Sequence, residues 1–185
     1  MCGIAGIIDP KQSAEQNLQT LGTMLQTQHH RGPDATGVWT DNHVYLGHNR
    51  LSIIDLSKAA NQPMHYKQLT LIFNGEVYNY VELKKDLEKF GHIFETESDS
   101  EVILHAYHEW GSECVQQFVG MWAFVIWDGE KKELFASRDR FGIKPFNYIL
   151  ENNRFYFASE IKTIKHSPLF SNDLNVNQVS RGLQM

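Results

Sequence analysis

The fold is decided by the first nine residues, MCGIAGIID (1–9), in which a cysteine directly follows the initiator methionine. The run GIAGII is short, apolar and partly β-branched, which predicts a buried strand at the start of the chain. If Met1 is removed, Cys2 carries a thiol and a free α-amine on one residue. An α-amine has a pKa of roughly 7.7–8.0, so it can act as a general base for its own thiol. The alternative interpretation of Cys2 is a small hydrophobic residue packed within that strand.

Length and composition describe one globular domain with a core of its own. The chain has 185 residues and a formal net charge of −5. It has no cluster of basic residues, and no apolar run of the ~20 residues that cross a membrane, so we expect neither nucleic-acid nor membrane partners. Two cysteines, Cys2 and Cys114, cannot form a disulfide framework. They suit a reducing compartment, and we expect a cytoplasmic protein.

Hydrophobic periodicity predicts three helices, over residues 13–28, 80–91 and 98–111. The first is expected to bury a stripe of Leu18, Leu21 and Leu25. The third is expected to begin with a capping box between Ser98 and Glu101, three residues apart, and to end at Gly111.

Strands are expected between and after these helices, over residues 36–40, 44–55 and 68–75 and in two hairpins at 121–139 and 145–159. The strand over 68–75 is expected to end at Asn74-Gly75. Because no succession of βαβ units is present, the order argues for an α+β fold with largely antiparallel sheets.

Several motifs follow one another along the chain: MCGIAGI, HRGPDATG, GHNRLSIIDLS, QPM, FNGEVYNY, ESDSEVIL, GMWAFVIWD and RDRFGIKPF. In these motifs the sequence resembles class II glutamine amidotransferases, and most of all the N-terminal glutaminase domain of glutamine-hydrolysing asparagine synthetases. The resemblance implies an N-terminal-nucleophile hydrolase fold, a four-layer αββα sandwich of two mainly antiparallel sheets between helical layers. It covers residues 1–165 as the glutaminase domain. Residues 166–185 are expected to be a linker or the start of a C-terminal synthetase domain.

The resemblance also implies a catalytic set. Cys2 attacks the side-chain amide of L-glutamine and forms a thioester, while Asn74 and Gly75 donate hydrogen bonds to the oxyanion. An asparagine amide and a glycine N–H are suitable donors for such an oxyanion. Taken alone, an Asn-Gly pair is equally typical of an ordinary turn.

A second set is implied to bind glutamine. Arg50 is expected to hold its α-carboxylate, Glu76 and Asp99 its α-ammonium, and part of the stretch Leu51, Ser52, Ile53 and Ile54 to contact it through the backbone. A guanidinium binds a carboxylate in two places, which suits Arg50, although a surface ion pair is the simpler interpretation of a lone arginine. Leu51, Ile53 and Ile54 could also be core residues. Asp99 is also favoured at a helix start by the helix dipole.

Other chemically suggestive residues receive no catalytic step. His30, Arg31 and Asp34 are expected in a loop that orders around the site. The motif RDRFGIKP is interpreted as structural or interface-forming. His105 and His108 are predicted to point away from the buried face of their helix into solvent, and no zinc-like partner spacing accompanies them. Cys114 is expected to be a packing residue.

We therefore expect a glutaminase whose small-molecule substrate is L-glutamine, with no cofactor or metal in this chain. ATP and magnesium are expected only in a synthetase domain that makes asparagine from aspartate, with this chain a fragment and a homodimer possible. Three alternatives stay open. The chain could belong to another class II amidotransferase, although RLSIIDLS and NGEVYNY argue against it. It could serve an asparagine-synthetase-like protein with another ammonia acceptor, or be a glutamine-binding module without turnover.

Overall fold

A computed structural model describes residues 1–42 and 44–173, so most of the predicted linker, residues 174–185, lies outside the described part. The regular elements, in chain order, are β1 (Gly3–Ile8), α1 (Ala14–Thr27), β2 (Ala35–Asp41), β3 (Val44–Arg50), β4 (Met64–Tyr66), β5 (Leu69–Val77), α2 (Tyr80–Lys89), α3 (Asp99–Trp110), β6 (Gly120–Asp128), β7 (Glu133–Arg138), β8 (Asn147–Glu151), β9 (Arg154–Ala158) and α4 (Ile161–Ile164). None of the helices in this part of the chain is long and apolar enough to cross a membrane.

The strands form two sheets. The first sheet has the order β2-β3-β1-β9-β8 and the second has the order β4-β5-β6-β7. Every pair of neighbouring strands is antiparallel, which confirms the predicted sheet type. The N-terminal strand β1 is central in the first sheet, between β3 and β9, and is not an edge strand.

Three apolar clusters separate four layers. Ile7, Leu21, Met24 and Tyr156 lie between α1 and the outer face of the first sheet. Ile4, Leu46, Ile72, Val125 and Phe157 fill the space between the two sheets. A third and larger cluster, including Leu71, Leu87, Ile103 and Phe124, joins the second sheet to α2 and α3. The predicted αββα sandwich is confirmed.

The helix α1 shows what periodicity predicts and what it does not. Ser13 accepts a hydrogen bond from the Gln16 N–H and Gln16 reaches back to Ser13, so a complete capping box begins the helix. Leu21 and Leu25 are buried as predicted, but Leu18 is 44% exposed. The prediction for Leu18 was wrong because Asn17 takes the buried position, donating a hydrogen bond to the Asp9 carbonyl.

The helix α3 corrects two predictions. Its residues Asp99–Tyr107 are all buried, because the helix lies against the second sheet on one side and the 92–96 segment on the other. His105 is therefore not solvated: its ring stacks on Tyr66 at 3.9 Å and on Phe94 at 4.3 Å. His108 is half-buried, with its Nε2 2.7 Å from Lys67 Nζ. Ser98 does cap the helix, but the Glu101 carboxylate binds the Glu95 and Thr96 N–H groups instead of completing a capping box.

Two predicted strand ends were also wrong. The strand β3 ends at Arg50, not at Asp55, because its partners end there: Gly3 of β1 pairs with Asn49 and Ala35 of β2 pairs with Arg50. The strand β5 continues through Asn74-Gly75 to Val77, because Val77 still pairs with Gly120 of β6. Asn74-Gly75 is therefore a strand segment and not a turn.

Candidate active site

A cavity of about 280 Å³ opens at the end of the core between the two sheets. Side chains alternate between the faces of a strand, and Ile4 of β1 and Ile72 of β5 belong to the inter-sheet core. Cys2, two residues before Ile4, therefore faces the same layer as Asn74, two residues after Ile72. The cavity is lined by Cys2, Asn74, Gly75, Arg50, Leu51, Ile53, Ile54, Glu76 and Asp99, which are all of the predicted site residues except Ser52.

Cys2 is partly buried, and its thiol faces the backbone of Leu51. Its Sγ lies 3.6 Å from the Leu51 carbonyl oxygen and 3.4 Å from the Leu51 N. Burial raises the pKa of the Cys2 thiol, against the opposing effects of the Leu51 N–H, the N-terminal amino group and Arg50. With Met1 in place the thiol is therefore held in its neutral form.

Asn74 and Gly75 bring two N–H donors to the cavity. Asn74 is 1% exposed, and its Nδ2 has no hydrogen-bond partner within the described residues. Such an unpaired buried donor is costly, which makes it a candidate for a ligand contact.

The direction of the Gly75 N–H follows from its neighbours along β5. The Phe73 N–H donates to Gln62 Oε1 at 2.6 Å and the Val77 N–H to Asp99 Oδ2 at 3.0 Å, both away from β6. Because backbone groups two residues apart in a strand point the same way, the Gly75 N–H also points away from β6. Glycine is required here, since a Cβ would lie 2.4 Å from the Met121 carbonyl oxygen.

Two carboxyl groups, Glu76 and Asp99, face the cavity. Asp99 is 5% exposed and lies at the first position of α3, as predicted. Burial raises the pKa of Asp99 to about 6, helped by the negative charge of Glu76 and opposed by the Val77 N–H. A cation bound between them would therefore relieve an electrostatic conflict.

Arg50 organises the loop that follows β3. It is 7% exposed, and its guanidinium donates to the carbonyl oxygens of Asp55 and Ser57 and to Asn61 Oδ1. These contacts draw the loop 51–57 over the cavity, where Ile53 is 66% exposed and Leu51 and Ile54 are only partly buried. The interpretation of these three as core residues was wrong. Ser52 does not line the cavity, because its N–H donates to Asp34 Oδ2 at 2.7 Å.

The predicted loop HRGPD contacts the backbone of Cys2. Arg31 Nε donates to the Cys2 carbonyl oxygen at 2.9 Å, and its Nη1 binds Glu160 at 3.2 Å. His30 contacts the same carboxylate at 3.0 Å. Together with the Asp34 contact to Ser52, these hydrogen bonds hold the backbone of Cys2 and the loop 51–57, which both line the cavity.

Sequence reasoning gave no site role to several other residues that line the cavity, among them Gln62, Ser98, Met121 and Lys144. Met121 could have been found from strand alternation, because it has the same parity as the inter-sheet residues Ala123 and Val125. Lys144 belongs to the RDRFGIKP motif, which was interpreted as structural or interface-forming. A lysine between Ile143 and Pro145 gives no signal of its own, because its burial depends on a loop.

The remaining candidates lie elsewhere. Cys114 is fully buried in a short 3-10 turn, and burial raises the pKa of its thiol to about 12, as suits a packing residue. Among residues 1–42 and 44–173 no group of three or more histidine, cysteine or acidic side chains could hold a metal ion.

Known proteins with similar sequence or structure extend this description. Asparagine synthetase [glutamine-hydrolyzing] 3 of Bacillus subtilis (strain 168) is 46% identical over 172 residues, covering 91% of this chain and 28% of that protein. Amidase chry2 of Gibberella zeae is 42% identical over 177 residues, covering 88% of this chain and 26% of the relative. The chain thus spans about a quarter of the length of these relatives.

A solved structure has the same fold. Glutamine phosphoribosylpyrophosphate amidotransferase from B. subtilis superposes with a TM-score of 0.72 at 22% identity, over 89% of this chain and 43% of that chain. The sequence profile of the family described as "Glutamine amidotransferase domain" matches residues 1–185. On these matches and on the fold they share, the chain belongs to the glutamine amidotransferase domain family.

Proposed function

We propose that this chain hydrolyses the side-chain amide of L-glutamine, with Cys2 as the nucleophile once Met1 has been removed. The observation that carries the proposal is the position of Cys2 in one cavity with Asn74, whose Nδ2 is buried and unpaired within the described residues. A thiol at a chain terminus and an unused donor are the two parts that acyl transfer from an amide requires.

The reaction follows from these groups. The Cys2 α-amine takes the thiol proton, and the sulfur forms a bond to the amide carbon of glutamine. The oxygen of the tetrahedral intermediate then accepts hydrogen bonds from Asn74 Nδ2 and the Gly75 N–H. The proton passes to the amide nitrogen, the C–N bond breaks and ammonia leaves. Water attacks the thioester carbon and gives a proton to the Cys2 α-amine. The C–S bond then breaks, glutamate leaves, and that proton restores the thiol.

Substrate binding is assigned to the charged groups around the cavity. Asp99 and Glu76 hold the α-ammonium. Arg50 holds the α-carboxylate through the N–H groups that do not bond to its neighbouring loop. Leu51, Ile53 and Ile54 line the same region, and contacts to glutamine are assigned to their backbone groups. Ser52 was predicted to share this role, and the position of its N–H on Asp34 argues for an indirect one.

The fate of the ammonia is inferred from the relatives. We infer that it serves asparagine synthesis in a longer protein, because the B. subtilis relative is named a glutamine-hydrolysing asparagine synthetase. The amidase relative supports a second candidate, the same glutaminase with a different acceptor. A domain boundary near residue 165, ATP and magnesium in a synthetase domain, a homodimer and a cytoplasmic location stay predictions.

The test joins intact-mass analysis to glutamate release from L-glutamine by the purified chain. We expect loss of Met1 and steady glutamate production in the wild-type protein. The Cys2→Ala variant should also lose Met1, because alanine is small, and should produce no glutamate. Cys114→Ala is the matched control: its thiol is fully buried and does not line the Cys2 cavity, so turnover should continue. Normal turnover in Cys2→Ala would contradict the mechanism.

A further inference from the structure

Lys144 is a buried cation inside the Cys2 cavity. It is 5% exposed, and it lines the cavity with Cys2 and Asn74. Its Nζ lies 3.3 Å from the sulfur of Met1, the residue that the proposed mechanism requires to be removed. Removal of Met1 therefore takes away the sulfur that contacts the Lys144 ammonium.

The position of Lys144 is fixed by the turn that carries it. Asp139 Oδ2 accepts hydrogen bonds from the Lys144 and Trp122 N–H groups, and Oδ1 accepts from Phe141 and Ile143. Although burial opposes it, these bonds hold the pKa of Asp139 below its usual range. Arg138 Nε donates to the Lys144 carbonyl oxygen at 2.6 Å. The RDRFGIKP motif thus forms a hydrogen-bonded turn that places Lys144 in the cavity.

The cations near Cys2 differ in what they bind. The Arg31 guanidinium binds the Cys2 carbonyl oxygen and Glu160, although its buried Nη2 has no partner within the described residues. The Arg50 guanidinium binds carbonyl groups of the 51–57 loop and, in the proposed function, the glutamine α-carboxylate. Within the part of the chain that the structure describes, Lys144 Nζ has no carboxylate within ion-pair distance. Lys144 is therefore a side-chain cation of the cavity whose described partner, the Met1 sulfur, is lost when Met1 is removed.

The Cys2 thiol is one of the groups that act on the charge of the Lys144 ammonium. Burial and the positive charge of Arg31 lower the pKa of Lys144, while Glu76, Cys2 and Asp139 favour its charged form. Cys2 itself faces the terminal amino group, Arg50 and Asp99, and among the described residues a thiolate there keeps one hydrogen bond, from the Leu51 N–H. A buried anion with so few partners needs a neighbouring cation.

We propose that Lys144 is a positioning residue of the nucleophile, whose ammonium, once Met1 has left, serves as the counter-ion of the Cys2 thiolate. This inference rests on the proposed role of Cys2. It assigns to Lys144 a function in the proton transfer from sulfur and not in binding of glutamine.

The test measures the Cys2 thiolate directly, without glutamine. Protein that has lost Met1 is alkylated with iodoacetamide between about pH 6 and pH 10, and modification of the Cys2 peptide is quantified by mass spectrometry. In Lys144→Met the apparent pKa of Cys2 should rise, so that alkylation near neutral pH slows by about tenfold, as for loss of a close opposite charge. Lys144→Arg should keep the wild-type profile. Lys85→Met, at an exposed position on α2, is the matched control and should be unchanged.

Two outcomes would overturn the inference. One is an unchanged Cys2 titration in Lys144→Met with a wild-type circular-dichroism spectrum. The other is an unchanged titration together with a raised KM for glutamine, which would make Lys144 a substrate-binding residue. Alkylation needs no turnover. Failure of the wild-type chain to release glutamate would therefore count against the proposed function, while the Cys2 titration would still test the role of Lys144.

Discussion

Asp99 is buried beside Glu76, where its carboxylate receives a hydrogen bond from the Val77 N–H. An ordinary buried carboxyl would gain from a nearby cation, but within the described residues none pairs with Asp99. The pKa of about 6 is the measure of this conflict. In the proposed function this conflict is relieved only when the α-ammonium of glutamine binds. Asp99 therefore lowers the stability of the empty protein and favours substrate binding.

Replacement of Asp99 by asparagine should separate these two effects. The folded pKa of Asp99 lies above its unfolded value, so the stability that its ionisation costs is lost as the pH rises from about 4 to about 6, is lost in full at pH 7 and is nearly intact near pH 4. We expect Asp99→Asn to raise the free energy of unfolding by about 2 kcal/mol at pH 7, with the gain shrinking as the pH falls. The KM for glutamine should rise strongly. Urea unfolding at both pH values and steady-state kinetics measure these changes.

The exposed Asp86, which pairs with Lys89 on the surface of α2, provides the control. Asp86→Asn should change neither stability nor KM appreciably. An Asp99→Asn variant that is less stable than the wild type at pH 7 would show that the carboxylate is not under strain.

Single site residues were predictable from sequence when a local motif contains them. Cys2, Asn74 and Asp99 were placed in one site through the family resemblance of their motifs, and strand alternation explains why Cys2 and Asn74 meet. Lys144 was missed, because its burial depends on four backbone contacts to Asp139 that no periodicity reports. His105 was assigned to solvent, because a helical stripe cannot reveal that a second segment, containing His92 and Phe94, covers the opposite face.

At the scale of elements, two glycines in neighbouring elements have opposite environments. Gly6 of β1 faces the inter-sheet core, where an added Cβ would lie 2.2 Å from Phe157 Cζ. Gly22 of α1 has nothing within 4 Å of its Cβ position. The first glycine is required by packing, and the second weakens a helix by its backbone entropy.

Alanine at these two positions should therefore change stability in opposite directions. Gly22→Ala should raise the free energy of unfolding by about 0.5–1 kcal/mol, the usual difference between these residues in a helix. Gly6→Ala should lower it by about 1–3 kcal/mol or more, because the sheets must separate around Phe157. Chemical denaturation of both variants under one condition measures the pair. Equal effects of the same sign would mean that the inter-sheet layer is not tightly packed at Phe157.

Element types were predicted better than element ends. The helices and hairpins follow from local periodicity. The end of β3 depends instead on where β1 and β2 stop pairing, and the length of β5 depends on β6, about 50 residues away in sequence. Strand ends are set by partners that a local pattern does not contain.

At the scale of the whole molecule, the two sheets are joined by a polar contact as well as by apolar packing. His48 of β3 is fully buried, and its Nε2 lies 3.1 Å from the Phe73 carbonyl oxygen of β5. The neutral ring donates this hydrogen bond across the inter-sheet layer. Burial lowers the pKa of His48 to about 4, so protonation would place an uncompensated charge at the centre of the molecule.

The sandwich should therefore become unstable in mild acid. The folded pKa of His48 is below the unfolded value of about 6.5, so its contribution is present above pH 6.5 and is lost as the pH falls toward 4. Between pH 7 and pH 5 we expect His48 alone to remove about 2 kcal/mol. His105, whose pKa burial also lowers to about 4, adds to this loss, and Asp99 opposes part of it.

Urea unfolding at pH 7 and pH 5, monitored by tryptophan fluorescence, tests this expectation. The His48→Gln variant keeps a donor for the Phe73 carbonyl and cannot take up a proton, so its stability should depend less on pH by about 2 kcal/mol over this range. His29→Gln, at an exposed position, should keep the wild-type dependence. If His48→Gln lost as much stability as the wild type between the two pH values, the acid sensitivity of the fold would have to arise outside the inter-sheet layer.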